Sequence, residues 1–217
     1  EAVLIATPAE THVALSLRAL AAGKAVFCEK PMGSDLEECR RLARRLEADP
    51  APYMVGYCYR FNRAVARVFP LVRPGFSWVH VIAPMEGGGL YGGWINNLCH
   101  ALDLVRMFHR CEPLEIRAEG DGPPGRKVDA GNPARLAVTV RFRDASLAVI
   151  ALGQANPSVF LGKWYYKFCG ADGRTAEVVN YRRATFRSPD PREALDESDE
   201  AGYHSGHRAE LELFAAC

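Results

Sequence analysis

The chain has 217 residues, 48% of them apolar and 24% charged, and its 27 basic and 26 acidic side chains leave a formal net charge of +1. That balance offers no basic surface for nucleic acid or an anionic membrane, and no apolar run reaches the roughly 18 residues of a membrane helix. No signal peptide opens the chain, and its seven scattered cysteines lack a C-x-x-C pair, so they read as reduced core thiols of a cytoplasmic protein rather than as a disulfide framework or a metal site.

The first residues, Glu1 and Ala2, run straight into a strand with no Met before them, so an upstream segment is expected. The strand ends at Thr7-Pro8, and Val13, Leu17, Leu20 and Ala21 then repeat at helical spacing up to Gly23, a C-terminal cap. Ala25 to Gly33 follows, an apolar run that enters the charged corner Glu29-Lys30-Pro31 and reads as an inner strand of a parallel sheet. Ser34 with Glu37 has the capping-box spacing, and the helix it opens carries Leu36, Cys39, Leu42, Ala43 and Leu46 on one face until Asp49-Pro50. Tyr53 to Tyr57 completes a β-α-β-α-β series, the pattern of a parallel sheet with right-handed crossovers. Residues 1–62 thus read as the C-terminal half of a doubly wound α/β domain.

From residue 63 to 217 the pattern is that of an α+β domain. A short helix over Ala64 to Leu71 leaves the sheet, and strand-like runs follow at Trp78–Ile82, Leu114–Glu119, Leu136–Phe142, Leu147–Leu152, Trp164–Cys169, Ala176–Tyr181 and Ala184–Arg187. Leu136, Val138, Val140 and Phe142 alternate with more polar neighbours, the mark of a half-buried strand. Arg143-Asp144-Ala145 and Gly170 to Gly173 are short enough for hairpins, so a mostly antiparallel sheet is expected. The stretch from Ser188 to Ser205 is rich in Pro, Asp, Glu and Ser and reads as a loop. Arg208 to Cys217 has a helical pattern with no stop signal.

Two places could carry chemistry. Lys30 sits at the carboxyl end of a parallel strand, where open α/β sheets bind ligands; the bland alternative is a solvated strand end. On the long helix Ile95 to His109, Asn96, His100 and Asp103 share one face, while Leu98, Ala101, Leu102, Val105 and Phe108 lie opposite. A histidine near a helix N-terminus is kept neutral by the dipole and fit to act as a base, but an ordinary exposed His/Asp pair would look the same. Gly87 to Gly92 matches G-x-G-x-x-G literally, yet intervening residues separate it from strand and helix, and it reads as a flexible entry to the His100 helix.

The Thr7-Pro8 strand end with His12, the Glu29-Lys30-Pro31 corner, the run Gly56 to Asn62, the glycines leading to His100 and Asp103, and Gly206-His207 together resemble the Gfo/Idh/MocA family of nicotinamide-dependent sugar and cyclitol oxidoreductases. The resemblance spans nearly the whole chain. It implies a Rossmann domain, incomplete here, whose upstream part holds the phosphate loop. It implies NAD or NADP as cofactor, bordered by Thr7, Pro8, His12, Glu29, Lys30 and Pro31. It also implies a small polyol or sugar as substrate, bound by Lys30, Arg60, Asn96, His100 and Asp103, with Lys30 and His100 catalytic and no metal. Asn96 departs from the family, which carries an acid there, and Asn cannot take a proton. A cofactor-binding regulator without turnover is therefore the rival expectation, and the piece alone is expected to be inactive. The family's habit of pairing through the second sheet implies a homodimer or homotetramer.

Overall fold

The computed structural model describes residues 1–82, 94–120, 135–153, 164–198 and 206–216. The chain divides into two compact units, Glu1–Cys58 with His207–Cys217, and Tyr59–Gly206.

In the first unit β1 (Ala2–Ile5), β2 (Ala25–Glu29) and β3 (Tyr53–Gly56) form a parallel sheet in the order β1-β2-β3. The crossovers are α1 (Ala9–Ala21) and α2 (Leu36–Ala48). Val13, Ala19 and Leu20 of α1 and Leu42 of α2 meet Ile5, Val26 and Cys28 in one buried cluster. All of these positions but Ala19 belong to the apolar runs and stripes read from the sequence, which is why the β-α-β-α-β reading holds, although Ala21, placed in the α1 stripe, is exposed. Gly23 follows α1 at φ +67°, the left-handed position that ends a helix. The start of α2 differs from the capping-box reading: Asp35, not Ser34, is the N-cap, and its carboxylate accepts from Glu38 N at 2.9 Å. An aspartate one residue later does the same work with a stronger acceptor at the positive helix end.

The terminal helix α5 (His207–Ala215) groups with this first unit, whereas a single division at residue 62 had been expected. Phe214 sets its ring edge-on to Phe27 of β2 at 5.7 Å, and Glu210 is buried. The chain returns because a helix with one large aromatic needs an apolar partner, and sequence order does not say which sheet supplies it.

The second unit is built on an eight-stranded sheet. Its strands are β4 (Gly75–Ile82), β5 (Pro113–Gly120), β6 (Arg135–Phe142), β7 (Leu147–Gly153), β8 (Trp164–Gly170), β9 (Thr175–Val179), β10 (Arg183–Arg187) and β11 (Leu195–Ser198). They lie in the order β11-β10-β9-β8-β4-β7-β6-β5, antiparallel throughout except for the β4/β7 pair. The fold class is therefore a parallel α/β half-sheet followed by a mostly antiparallel α+β domain. Helices α3 (Arg63–Val68) and α4 (Trp94–His109) cover one face, α3 against β9 and β10 and α4 against β4 and β7. Asn62 caps α3 through Val65 N at 3.2 Å and donates to Tyr181 O at 3.0 Å, so one buried amide fixes both helix and hairpin. Two strand expectations need correction. The stretch expected as a loop from Ser188 contains β11, paired to β10 through the register Phe186↔Leu195. The strand expected to reach Tyr181 ends at Val179, because Asn180 and Tyr181 adopt φ +51° and +58° in the turn to β10.

Candidate active site

The parallel sheet of the first unit puts the carboxyl ends of its strands side by side, so Thr7, Lys30 and Tyr57 follow them at one edge. Lys30 and Glu29 are half-buried, and the Lys30–Pro31 peptide is cis. His12 holds this corner. Its Nδ1 lies 2.8 Å from Pro31 O and its Nε2 2.8 Å from Thr7 O, with 1% of the residue exposed. The ring thus ties the loop after β1 to the loop after β2. It was expected to border a cofactor; in the structure both ring nitrogens lie against backbone carbonyls, so the side chain fixes the shape of this corner. Thr7 is exposed and hydrogen-bonded to Thr11 Oγ1 at 2.6 Å; α1 takes Pro8 as N-cap without a side-chain bond, so Thr7 does not cap it. A Cβ on Gly33 would stand 2.7 Å from Val13 Cγ2, and one on Gly56 would stand 2.9 Å from Phe27 Cζ. These two glycines let the segments around Lys30 pack directly on the core.

Behind the corner is a buried acid that sequence reading did not find. Glu210 is 1% exposed, and burial, reinforced by Glu29, lifts its carboxyl to about 7. The Cys58 thiol is pushed up to about 12, first by burial, then by Glu210 and Glu29, against the pull of Lys30. No local motif announces Glu210, because its burial depends on which sheet α5 joins.

In the second unit Arg60, from the 3₁₀ turn Cys58–Phe61, holds Asp103 of α4 with two hydrogen bonds, Nε donating to Oδ2 at 2.7 Å and Nη2 to Oδ1. Asp103 is 9% exposed, and burial raises its pKa although Arg60 pulls the other way. One turn earlier on α4, His100 is 5% exposed. His100 and Asp103, read from the helical wheel as part of a polar face, are therefore buried. His100 is the seventh residue of α4, and the dipole's field has decayed beyond the first turn, so the dipole argument for a neutral ring does not apply. What surrounds His100 is aromatic: Tyr59 with ring centroids 4.3 Å away, and Trp164 at 6.3 Å. Tyr59 stacks on Tyr181 at 3.8 Å, and Tyr181 bonds Tyr166 through their hydroxyls. Tyr181 reaches this wall from a left-handed backbone conformation, unusual for an aromatic residue and typical of constrained sites. Tyr59, Trp164 and Tyr181 were missed because strand periodicity marks them only as core.

Asn96 lies on α4, with its side chain outside the described residues, as is the whole of Gly87 to Gly92. Among the expected site residues the structure brings together Arg60, Asp103 and His100 in the second unit, and Thr7, Pro8, His12, Glu29, Lys30 and Pro31 in the first.

Residues 1–57 match the family model described as "Oxidoreductase family, NAD-binding Rossmann fold". The inositol 2-dehydrogenase of Rhizobium meliloti (strain 1021) is 44% identical over 163 residues, covering 70% of this chain and 49% of that protein. The rhizopine catabolism protein MocA of Rhizobium meliloti is 28% identical over 173 residues, 72% of this chain and 53% of that protein. The chain belongs to the Gfo/Idh/MocA oxidoreductase family. Its fold agrees with the solved UDP-N-acetylglucosamine 3-dehydrogenase GnnA of Acidithiobacillus ferrooxidans, at TM-score 0.79 and 21% identity over 99% of this chain and 68% of that one. A putative myo-inositol dehydrogenase of Sinorhizobium meliloti 1021 gives TM-score 0.76 at 23% identity, over 99% and 69% of the two chains. The chain spans about half the length of the curated relatives it matches. No helix among the described residues is long and apolar enough to cross a membrane.

Proposed function

We propose that the whole protein is an oxidoreductase exchanging a hydride between NAD or NADP and a secondary alcohol or ketone of a sugar, cyclitol or related polyol. The observation that carries the reading is Lys30, an ammonium at the carboxyl end of a parallel strand, in a corner tied down by His12. The half-buried amine and the glycine-lined packing around it suit a flat ring laid against Thr7, Pro8, Glu29 and Pro31. The nicotinamide supplies the hydride acceptor or donor when bound. Lys30 steadies the negative charge that develops on the substrate oxygen, and His100 accepts or returns the hydroxyl proton. Asp103 is engaged by Arg60, which leaves the proton to His100 and gives the Arg60/Asp103 pair the task of binding substrate hydroxyls.

The test is Lys30→Met and His100→Asn in the whole protein, assayed by nicotinamide absorbance against a panel of sugars and cyclitols. Each variant loses about two to four orders of magnitude in turnover while dinucleotide affinity holds within a few-fold. Unchanged turnover in Lys30→Met sinks the assignment. The second reading, a cofactor-binding regulator, is favoured by Asn96; Asn96→Asp then creates weak turnover where the parent has none, instead of lowering an existing activity.

A cytoplasmic homodimer or homotetramer belongs to the same proposal. Phe76, Trp78 and Leu147 are exposed on the face of the eight-stranded sheet opposite the buried Val79, Ala148 and Ile150. The register sets Phe76 beside Leu147, so the apolar side chains form one patch suited to a second copy of the same sheet.

A further inference from the structure

The three-dimensional arrangement gathers three residues that a motif scan separates by about 150 positions. Cys58 closes the segment after β3, and His207 and Glu210 lie one turn apart on the same face of α5. One ligand atom from each, thiol sulfur, imidazole nitrogen and carboxylate oxygen, lies within 4.8 Å of the others. Glu210 by itself calls for a positive partner. It is 1% exposed, and neither of its carboxylate oxygens has a hydrogen-bond partner. A buried carboxylate without donors is a strongly unfavourable group unless a proton or a cation completes it.

We propose that Cys58, His207 and Glu210 form a binding site for one zinc-like divalent cation. Sulfur, nitrogen and oxygen donors in a set of three leave a fourth position for water, the ligand number and type that zinc takes, whereas calcium and magnesium require oxygen donors. Bond lengths of about 2.0 to 2.3 Å set ligand separations of about 3.3 to 3.8 Å, so a pair at the 4.8 Å limit closes by about an ångström on binding. His207 is exposed and can turn its ring toward the ion, whereas Cys58 and Glu210 are buried. His207 also gives the ion its way in. On binding, the thiol sulfur bonds the cation and its proton leaves to solvent, with no change of oxidation state. The nearby Glu29 carboxylate favours a cation, and the Lys30 ammonium opposes it. The bound ion pins α5 to the end of β3, beside the corner that holds Lys30.

The experiment uses the whole protein, stripped with a chelator and titrated with zinc against a chromophoric competitor, then loaded with cobalt. One equivalent binds at submicromolar concentration, and His207→Asn and Glu210→Gln weaken it at least a hundredfold. Cobalt loading gives a sulfur-to-metal charge-transfer band that disappears in Cys58→Ser and persists in Cys111→Ser, a control outside the cluster. Where Cys58→Ser fails to fold, His207→Asn at the exposed ligand gives the same reading without touching the interior. Absence of submicromolar binding overturns the proposal, as does binding that His207→Asn leaves intact, since the thiols would then hold an adventitious ion only. Cobalt binding with no sulfur band overturns it as well.

Discussion

His109 makes the second unit's stability depend on pH through one buried ring. It is 1% exposed, with Nδ1 2.7 Å from Ser146 Oγ and Nε2 2.9 Å from Ser77 Oγ. The Ser146 hydroxyl donates to Asp144 Oδ1 at 2.6 Å, so it accepts from Nδ1–H, and Ser77 donates to the bare Nε2. The network assigns the neutral tautomer. Burial lowers the ring's pKa from 6.5 to about 4, against the weaker pull of Asp144 in the other direction. Between those values the unfolded chain binds the extra proton and the folded chain does not. Stability is therefore fully present above about pH 6.5 and is lost as pH falls to about 4. At about 1.4 kcal/mol per pH unit the loss amounts to about 3 kcal/mol. His109→Gln keeps a donor and an acceptor but cannot titrate. All three tryptophans, Trp78, Trp94 and Trp164, fall in the second unit, so tryptophan fluorescence during urea unfolding reports that unit alone. Glu210 has the opposite sign, its pKa being raised to about 7, so its stabilisation is lost as pH rises through that value; it belongs to the first unit and is common to both proteins. The parent's stability relative to His109→Gln drops by about 3 kcal/mol between about pH 7.5 and 4. Parallel profiles for the two proteins refute the buried neutral ring.

Arg60→Ala leaves Asp103 buried without its guanidinium, which raises the carboxyl's pKa further and costs about 1–3 kcal/mol. A raised carboxyl loses stability as pH rises through its pKa, so the deficit in tryptophan-detected unfolding is larger near pH 8 than near pH 5. Leu42 is fully buried between α2 and the parallel sheet, so Leu42→Ala costs about 2–5 kcal/mol, read as lost hydrogen-exchange protection in the first unit with the second unit unaffected. Light scattering of the whole protein finds a dimer or tetramer that Trp78→Glu shifts toward monomer; a parent that stays monomeric at high concentration rules out the sheet-face interface.

Local chemistry was enough for much of this protein. The apolar runs at Val3 to Ile5, Ala25 to Cys28 and Tyr53 to Val55, with amphipathic helices between them, leave a parallel sheet as the only way to bury both helix stripes. Period-two alternation placed β6 and a continuous apolar run placed β7, and the Glu29-Lys30-Pro31 corner pointed to Lys30 because a strand end fixes where its side chains emerge. The cap of α2 was missed by one residue, since Ser34 and Asp35 are both good caps and only the packing of Leu42 sets the phase of the helix. Contacts distant in sequence were decided by tertiary structure alone. That His12 reaches the Thr7 and Pro31 carbonyls depended on how closely Gly33 lets its loop approach Val13. His100 and Asp103 shared a helix face in either reading, but their burial, and the choice of Arg60 and the aromatic wall as neighbours, came from strands and turns as far away as Tyr181. Glu210 shows the limit most clearly. An acid on a short helix reads as solvated, and it becomes a buried group only because α5 returns to the first sheet, where Phe214 finds Phe27. Periodicity encodes which face of an element is apolar; the partner of that face is a property of the whole chain's packing.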